Sequence, residues 1–180
     1  MLYNYEECIE LFGSNYFLEK ALLEGKIFKI DSGLYSTDKK VKDIEVFLKK
    51  HKGIVFTMES ALYYLGISDF VPDKYVVATD KDATKYKEDG VKQYFINGGL
   101  IRVGAIDYEY NGTILPIYNK ERMLIEVIRN RNKLPFDCYK ETINYYRDHI
   151  NDIDVSLVLE YLELFPKKKL IIKTIQLEVL

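Results

Sequence analysis

Apolar positions near the start of the chain recur first at helical and then at strand spacing. In residues 4–12, Cys8, Ile9, Leu11 and Phe12 give a short amphipathic helix its apolar faces, and Asn4 is a suitable N-cap. Gly13-Ser14 breaks the pattern, with Ser14 or Asn15 placed to cap a second helix. In residues 15–24, Phe17, Leu18, Ala21 and Leu22 fall on one face to be buried, with Tyr16, Glu19, Lys20 and Leu23 opposite. Gly25 stops that helix. Lys26 to Ile30 then alternates as a strand, Asp31-Ser32-Gly33 reads as a hairpin turn, and Leu34-Tyr35-Ser36 returns.

Helix, tight turn, helix and β-hairpin, in that order, are the plan of a winged helix-turn-helix. Beyond it, Asp43–Lys50 has Ile44, Phe47 and Leu48 on one helical face, and Ile54–Thr57 reads as a buried strand. Thr57 is expected to cap a helix running through Leu65 to Gly66. Tyr75–Thr79, Val91–Ile96, Leu100–Ile106 and Thr113–Tyr118 read as strands, separated by a polar loop over 80–90 and by turns at Asn97-Gly98-Gly99 and Asn111-Gly112. The pattern then becomes helical over about 120–131, 135–149, 155–165 and 167–179, with Pro135 in a first turn and Pro166 as a separator. The expected fold class is α+β: a winged helix-turn-helix over 1–38, followed over 39–180 by an α/β body. That body has a mixed or antiparallel sheet at about 54–118 and C-terminal helices at about 120–180.

Composition narrows the function classes. The 180 residues are 48% hydrophobic and 30% charged, an ordinary globular balance. No apolar run approaches the ~20 residues of a membrane helix, and the N-terminus lacks the pattern of a signal peptide. A cytoplasmic location with no membrane partner is expected, with Cys8 and Cys138 as reduced thiols. The net charge of −2 argues against indiscriminate nucleic-acid binding. Residues 1–36 are acidic, with Glu6, Glu7, Glu10, Glu19, Glu24 and Asp31 against Lys20, Lys26 and Lys29. Residues 37–53 reverse the sign through Lys39, Lys40, Lys42, Lys49, Lys50 and Lys52.

A recognition helix over 14–24 would offer Ser14, Asn15, Tyr16 and Lys20 to base edges. Lys26, Lys29, Ser32, Lys39, Lys40 and Lys42 are the candidates for phosphate. The same helix, with Tyr16 and Leu23 exposed, could equally dock a protein. Arg122, Glu126 and Arg129 share one helical stripe opposite Met123, Leu124, Val127 and Ile128. They read as a solvated ion-pair ladder or, more sharply, as partner contacts. Asp152 and Asp154 suit caps better than a metal. His51 and His149 sit in charged, exposed settings, with no neighbouring nucleophile and no zinc spacing. No enzyme activity, metal or cofactor is expected; a nuclease-like enzyme on the central sheet is the weaker alternative.

Several stretches, taken in order, resemble AbiEi-type antitoxins of type IV, abortive-infection toxin–antitoxin systems. They are Phe12-Gly13-Ser14-Asn15-Tyr16, Gly25-Lys26-Ile27-Phe28-Lys29-Ile30 and Gly33-Leu34-Tyr35-Ser36, then Thr57 to Gly66 and Asp73 to Thr79. Lys120-Glu121-Arg122-Met123-Leu124-Ile125-Glu126 is similar to a Glu-Arg-containing helix of that family, which commonly has Asp in place of Glu126. The resemblance implies an antitoxin that represses its own operon by binding operator DNA through the winged helix. Its body would counter a cognate nucleotidyltransferase-type toxin. The acidic first 36 residues depart from the basic module such a role favours.

Overall fold

Asn4 starts the helical part of the chain. It ends strand β1 (Leu2–Asn4) and caps α1 (Tyr5–Phe12). Its side chain accepts from the Glu7 N–H at 2.8 Å, and the Glu7 carboxylate accepts from the Asn4 N–H at 2.7 Å. Two otherwise orphaned donors are thereby satisfied reciprocally. Gly13 closes α1 at φ 84°, a left-handed backbone that few other residues adopt without strain. Ser14 caps α2 (Asn15–Leu23), its hydroxyl accepting from the Phe17 N–H. Strands β2 (Phe28–Asp31) and β3 (Leu34–Ser36) form the expected hairpin. A β-bulge interrupts its register between Lys29 and Asp31.

The computed structural model describes all residues, Met1–Leu180, in two compact units, Met1–Lys52 and Gly53–Leu180. The first contains an antiparallel sheet of order β1-β3-β2. β1 has no counterpart in the sequence pattern, because its pairing with β3 joins residues 2–4 to 34–36. The unit's core is Cys8, Leu18, Ala21, Ile27 and Tyr35, with Ile9, Phe12 and Leu22 packed against it. Phe17 departs from expectation: it is 53% exposed, and only Leu18 and Ala21 of the predicted apolar face are fully buried. The unit takes in α3 (Asp43–Lys50) as well as residues 1–38. Lys49 of α3 pairs with Glu7 of α1 at 2.6 Å, and Lys50 pairs with Asp31 of the hairpin. His51, expected to be exposed, is buried against Phe47, with ring centres 4.6 Å apart.

The second unit holds a mixed five-stranded sheet of order β6-β5-β4-β8-β7. Its strands are β4 (Val55–Phe56), β5 (Tyr75–Asp80), β6 (Val91–Ile96), β7 (Ala105–Tyr110) and β8 (Thr113–Tyr118). β5 runs parallel to β6 and β4 parallel to β8; β4–β5 and β7–β8 are antiparallel. Helix α4 (Met58–Tyr64) follows β4, and α5 (Lys120–Arg129) follows β8. Helices α6 (Phe136–Asp148), α7 (Val155–Leu162) and α8 (Lys168–Glu178) complete the chain. With its eight α-helices and two sheets the protein is α+β. None of the helices is long and apolar enough to cross a membrane.

Three local expectations are not met. Leu100–Ile106 is not one strand: residues 100–104 are a turn and β7 begins at Ala105. Thr57 precedes α4 without capping it through its side chain; the hydroxyl instead lies 3.9 Å from the Met123 sulfur. Pro135 stands at the N-cap position of α6, just before its first turn. Asp154 does cap α7, accepting from the Leu157 N–H at 3.0 Å.

The largest correction concerns α5. Residues 122–128 are all buried, so this helix has no solvated face along them. It packs against α4, α7 and α8. Arg122 is fully enclosed and Glu126 nearly so. The Arg122 Nε donates to Glu126 Oε1 at 3.0 Å, and its Nη1 donates to the carbonyls of Leu100 and Val103 at 3.0 and 2.9 Å. The guanidinium lies over the rings of Tyr118 and Phe165, at 4.4 and 4.5 Å. Arg122 thus fixes the 100–104 turn to the helix. Within that turn, Gly104 has φ 73°, and a Cβ there would stand 2.5 Å from the Arg122 Cβ.

Two substitutions test this arrangement. Glu126→Ala leaves a buried guanidinium without its carboxylate and should cost about 3–5 kcal/mol in urea unfolding. Gly104→Ala combines a left-handed backbone, about 1–3 kcal/mol for a non-glycine residue, with that collision. It should destabilise by at least as much as the backbone term alone. Unchanged denaturation midpoints would refute the clasp.

Candidate nucleic-acid interface

The candidate base-edge residues all lie at the start and along the outer side of α2. Ser14 is committed to the helix as its N-cap. Asn15 is the first helical residue, and its Oδ1 accepts from the Tyr5 hydroxyl at 3.4 Å. Tyr16 is 72% exposed and meets Phe17 edge to face, with ring centres 5.4 Å apart. Lys20 is exposed one turn further on, 3.9 Å from Glu24. Leu23 is 89% exposed at the end of the same helix.

The candidate phosphate contacts divide into engaged and free groups. Lys26 pairs with Glu24 at 2.6 Å, so that carboxylate holds both Lys20 and Lys26. Lys42, at the N-cap of α3, lies 3.8 Å from Glu45. Lys29 is exposed on β2, and Lys39 and Lys40 are exposed in the segment between β3 and α3. Ser32 is exposed at the hairpin turn, where its N–H donates to the Asp31 carboxylate at 2.6 Å. The lysines of α3 do not extend this set, because Lys49 and Lys50 are spent on Glu7 and Asp31. In the sequence these pairs are visible only as charge, since their partners are 42 and 19 residues away.

These pairs reduce the acidity that the sequence ascribes to the first 36 residues. The Lys49 ammonium and then the Asn4 N–H hold the Glu7 carboxyl below the usual range. Lys26 does the same for Glu24, and Lys50 followed by the Ser32 N–H does so for Asp31. Glu6, Glu10 and Glu19 remain exposed and unpaired on α1 and α2. The surface therefore alternates in sign. Chemically it offers hydrogen-bond donors, a few mobile ammonium groups and an exposed apolar strip of Leu11, Tyr16, Phe17 and Leu23.

The remaining candidates lie in the second unit. Arg122 and Glu126 are interior, so they form neither a solvated ladder nor a surface for a partner. Arg129 reaches the edge, its side chain 27% exposed, donating to Glu126 at 3.0 Å and lying over Phe165. Sequence periodicity missed this burial because it assigns charged residues to solvent by default.

No known protein family's sequence profile matches the chain, and no curated protein matches it in sequence. Its structure is similar to that of the RV2827C protein from Mycobacterium tuberculosis, with a TM-score of 0.60 at 15% identity. The likeness covers 93% of this chain and 68% of that one. At this identity the two share a fold, and the shared part takes in most of both units.

The carboxylate pairs carry a pH consequence. A carboxyl whose pKa is lowered on folding stabilises above its ordinary range, and that contribution is lost as pH falls through the lowered value. NMR titration of the side chains should give midpoints below the usual range for Glu7, Glu24 and Asp31. In Lys49→Ala the Glu7 midpoint should move back up while those of Glu24 and Asp31 stay in place.

Proposed function

We propose that the chain is a DNA-binding autorepressor and the antitoxin of a type IV toxin–antitoxin operon. In this reading residues 1–38 are a winged helix-turn-helix, with α2 as the recognition helix and the β2–β3 hairpin as the wing. The observation that carries it is the outer side of α2. Capped by Ser14 and anchored through Leu18 and Ala21, it leaves Asn15, Tyr16, Glu19, Lys20 and Leu23 without a role in the core. A helix held rigidly at one face, with Asn15, Tyr16 and Lys20 offering polar groups at the other, suits insertion into a major groove. Phosphate contacts fall to Lys29 and Ser32 on the wing and to Lys39 and Lys40 behind it, with Lys20, Lys26 and Lys42 as exchangeable contributors.

The antitoxin half of the reading rests on the ordered resemblance to AbiEi-type antitoxins. The second unit would then counter a nucleotidyltransferase-type toxin in the cytoplasm, without catalysis of its own. The buried Arg122–Glu126 pair enters this role as scaffold, since it has no surface to offer.

A second reading is favoured by one observation. Leu11, Tyr16, Phe17 and Leu23 are all more than half exposed on α1 and α2, and such apolar surface marks protein interfaces as readily as DNA-reading helices. The helix pair would then dock a protein rather than an operator.

Fluorescence anisotropy with a duplex from the chain's own promoter separates the two. Lys29→Glu combined with Lys39→Glu and Lys40→Glu should weaken binding at least ~10-fold at moderate salt and flatten its salt dependence. Tyr16→Ala should lower discrimination between promoter and random duplex. No binding by the unaltered chain at low salt, or an affinity indifferent to the lysine changes, would overturn the DNA reading and leave the docking one.

A further inference from the structure

Helices α7 and α8, which both pack on α5, leave apolar side chains in solvent that neither reading uses. Val155 and Leu159 are 41% and 47% exposed, one turn apart on the outer side of α7. Leu170 and Leu177 are 59% and 72% exposed, two turns apart on the outer side of α8. The inner sides are already occupied: Val158 and Leu162 of α7, and Ile171, Thr174 and Ile175 of α8, are buried. Spacings of i, i+4 and i, i+7 make each exposed pair a stripe along its helix rather than scattered surface residues.

The two stripes differ in charge. α7 contains no cation, and Glu160, next to Leu159, is exposed and outside any ion pair. Glu163, just beyond that helix, is taken by Lys168 at 2.5 Å. On α8, Lys169 and Lys173 flank the leucines, both exposed and outside any ion pair. The one carboxylate of α8, Glu178, is turned to Tyr139 and Arg131.

This difference selects what can cover them. Lys173 lies about midway between Leu170 and Leu177, so pairing α8 with a second α8 in either direction sets that ammonium against its own equivalent, and like charges placed together disfavour the contact. Pairing α8 with α7 of a second copy sets apolar against apolar and ammonium against carboxylate. A contact in which α7 of each copy meets α8 of the other uses both stripes twice and closes on a twofold axis.

We propose that the chain forms a symmetric homodimer in which α7 of each copy packs on α8 of the other. Val155 and Leu159 lie against Leu170 and Leu177, with Glu160 between Lys169 and Lys173. Helices of eight and eleven residues are only about 12 and 16 Å long. The contact is therefore smaller than the roughly 800 Å² per partner of a standard interface. Association is concentration-dependent, with a dissociation constant on the order of 1–100 μM.

Sedimentation equilibrium of the full chain from about 5 to 500 μM tests this. The unaltered chain should pass from monomer to dimer. Glu160→Lys in one variant, and Lys169→Glu with Lys173→Glu in another, should each weaken dimerisation at least ~10-fold by setting like charges together. The two variants mixed should recover it as a heterodimer, because their altered charges complement each other across both α7–α8 contacts. Leu177→Asp should also weaken dimerisation, without lowering the melting temperature, since the side chain is outside the core. A chain still monomeric at about 500 μM, growth beyond the dimer, variants that dimerise as tightly as the unaltered chain, or a mixture that associates no better than its components would each overturn the proposal.

Discussion

The second unit is organised around one buried ion pair. Arg122 donates at once to a carboxylate one turn along its own helix and to two carbonyls of the turn at residues 100–104. Two aromatic rings enclose it. Desolvating a guanidinium is costly, and the carboxylate, the two carbonyls and the rings offset that cost, while Nη2, 2.9 Å from Glu126, makes no hydrogen bond of good geometry. Offsetting it sets much around the pair. Tyr118 donates its hydroxyl to Ile101, completing the same turn, and burial pushes its pKa up to about 12. Gly104 must lack a side chain, and Arg129 and Asn130 help hold the Glu126 carboxylate. Interactions of this kind are a weak source of net stability and a stronger source of a single defined arrangement.

Much of the fold could be read from local pattern, and the failures share a cause. α1, α2 and the hairpin are encoded by caps, glycines and short-range spacing, so Asn4, Gly13, Ser14 and Gly25 announce them. α3 and the strands β5, β6 and β8 arise from short apolar runs. β1 escapes such a reading because three residues are too few to show alternation and their partner residues lie 30 to 34 positions away. The alternation of Leu100, Arg102 and Gly104 with apolar neighbours imitates a strand, yet Arg122 captures the carbonyls that a strand would need. The burial of Arg122, Glu126 and His51 is invisible for the same reason: each depends on what packs over it.

The candidate interface shows a similar division. The sequence located the outer side of α2 and the lysines around the hairpin. It could not show which ammonium groups were already engaged. Of nine lysines from 20 to 52, the structure commits Lys49 and Lys50 to contacts between α3 and its neighbours, and leaves Lys29, Lys39 and Lys40 outside any ion pair. An acidic-looking module thereby becomes a mosaic, in which paired carboxylates contribute little field and a few unpaired groups set the sign at each spot.

In the proposed DNA-binding role, Glu24 would set the terms on which that mosaic meets a polyanion. Its carboxylate lies between Lys20 and Lys26, so neither ammonium can move to a phosphate without leaving a partner behind. Contact there is an exchange rather than a capture. An approaching phosphate must displace an internal anion instead of only a solvent counterion, so fewer ions return to solution than the number of lysines suggests. The carboxylate left behind would then repel a bound strand. A surface built in this way favours rapid release, and holds only where further contacts compensate for the exchange.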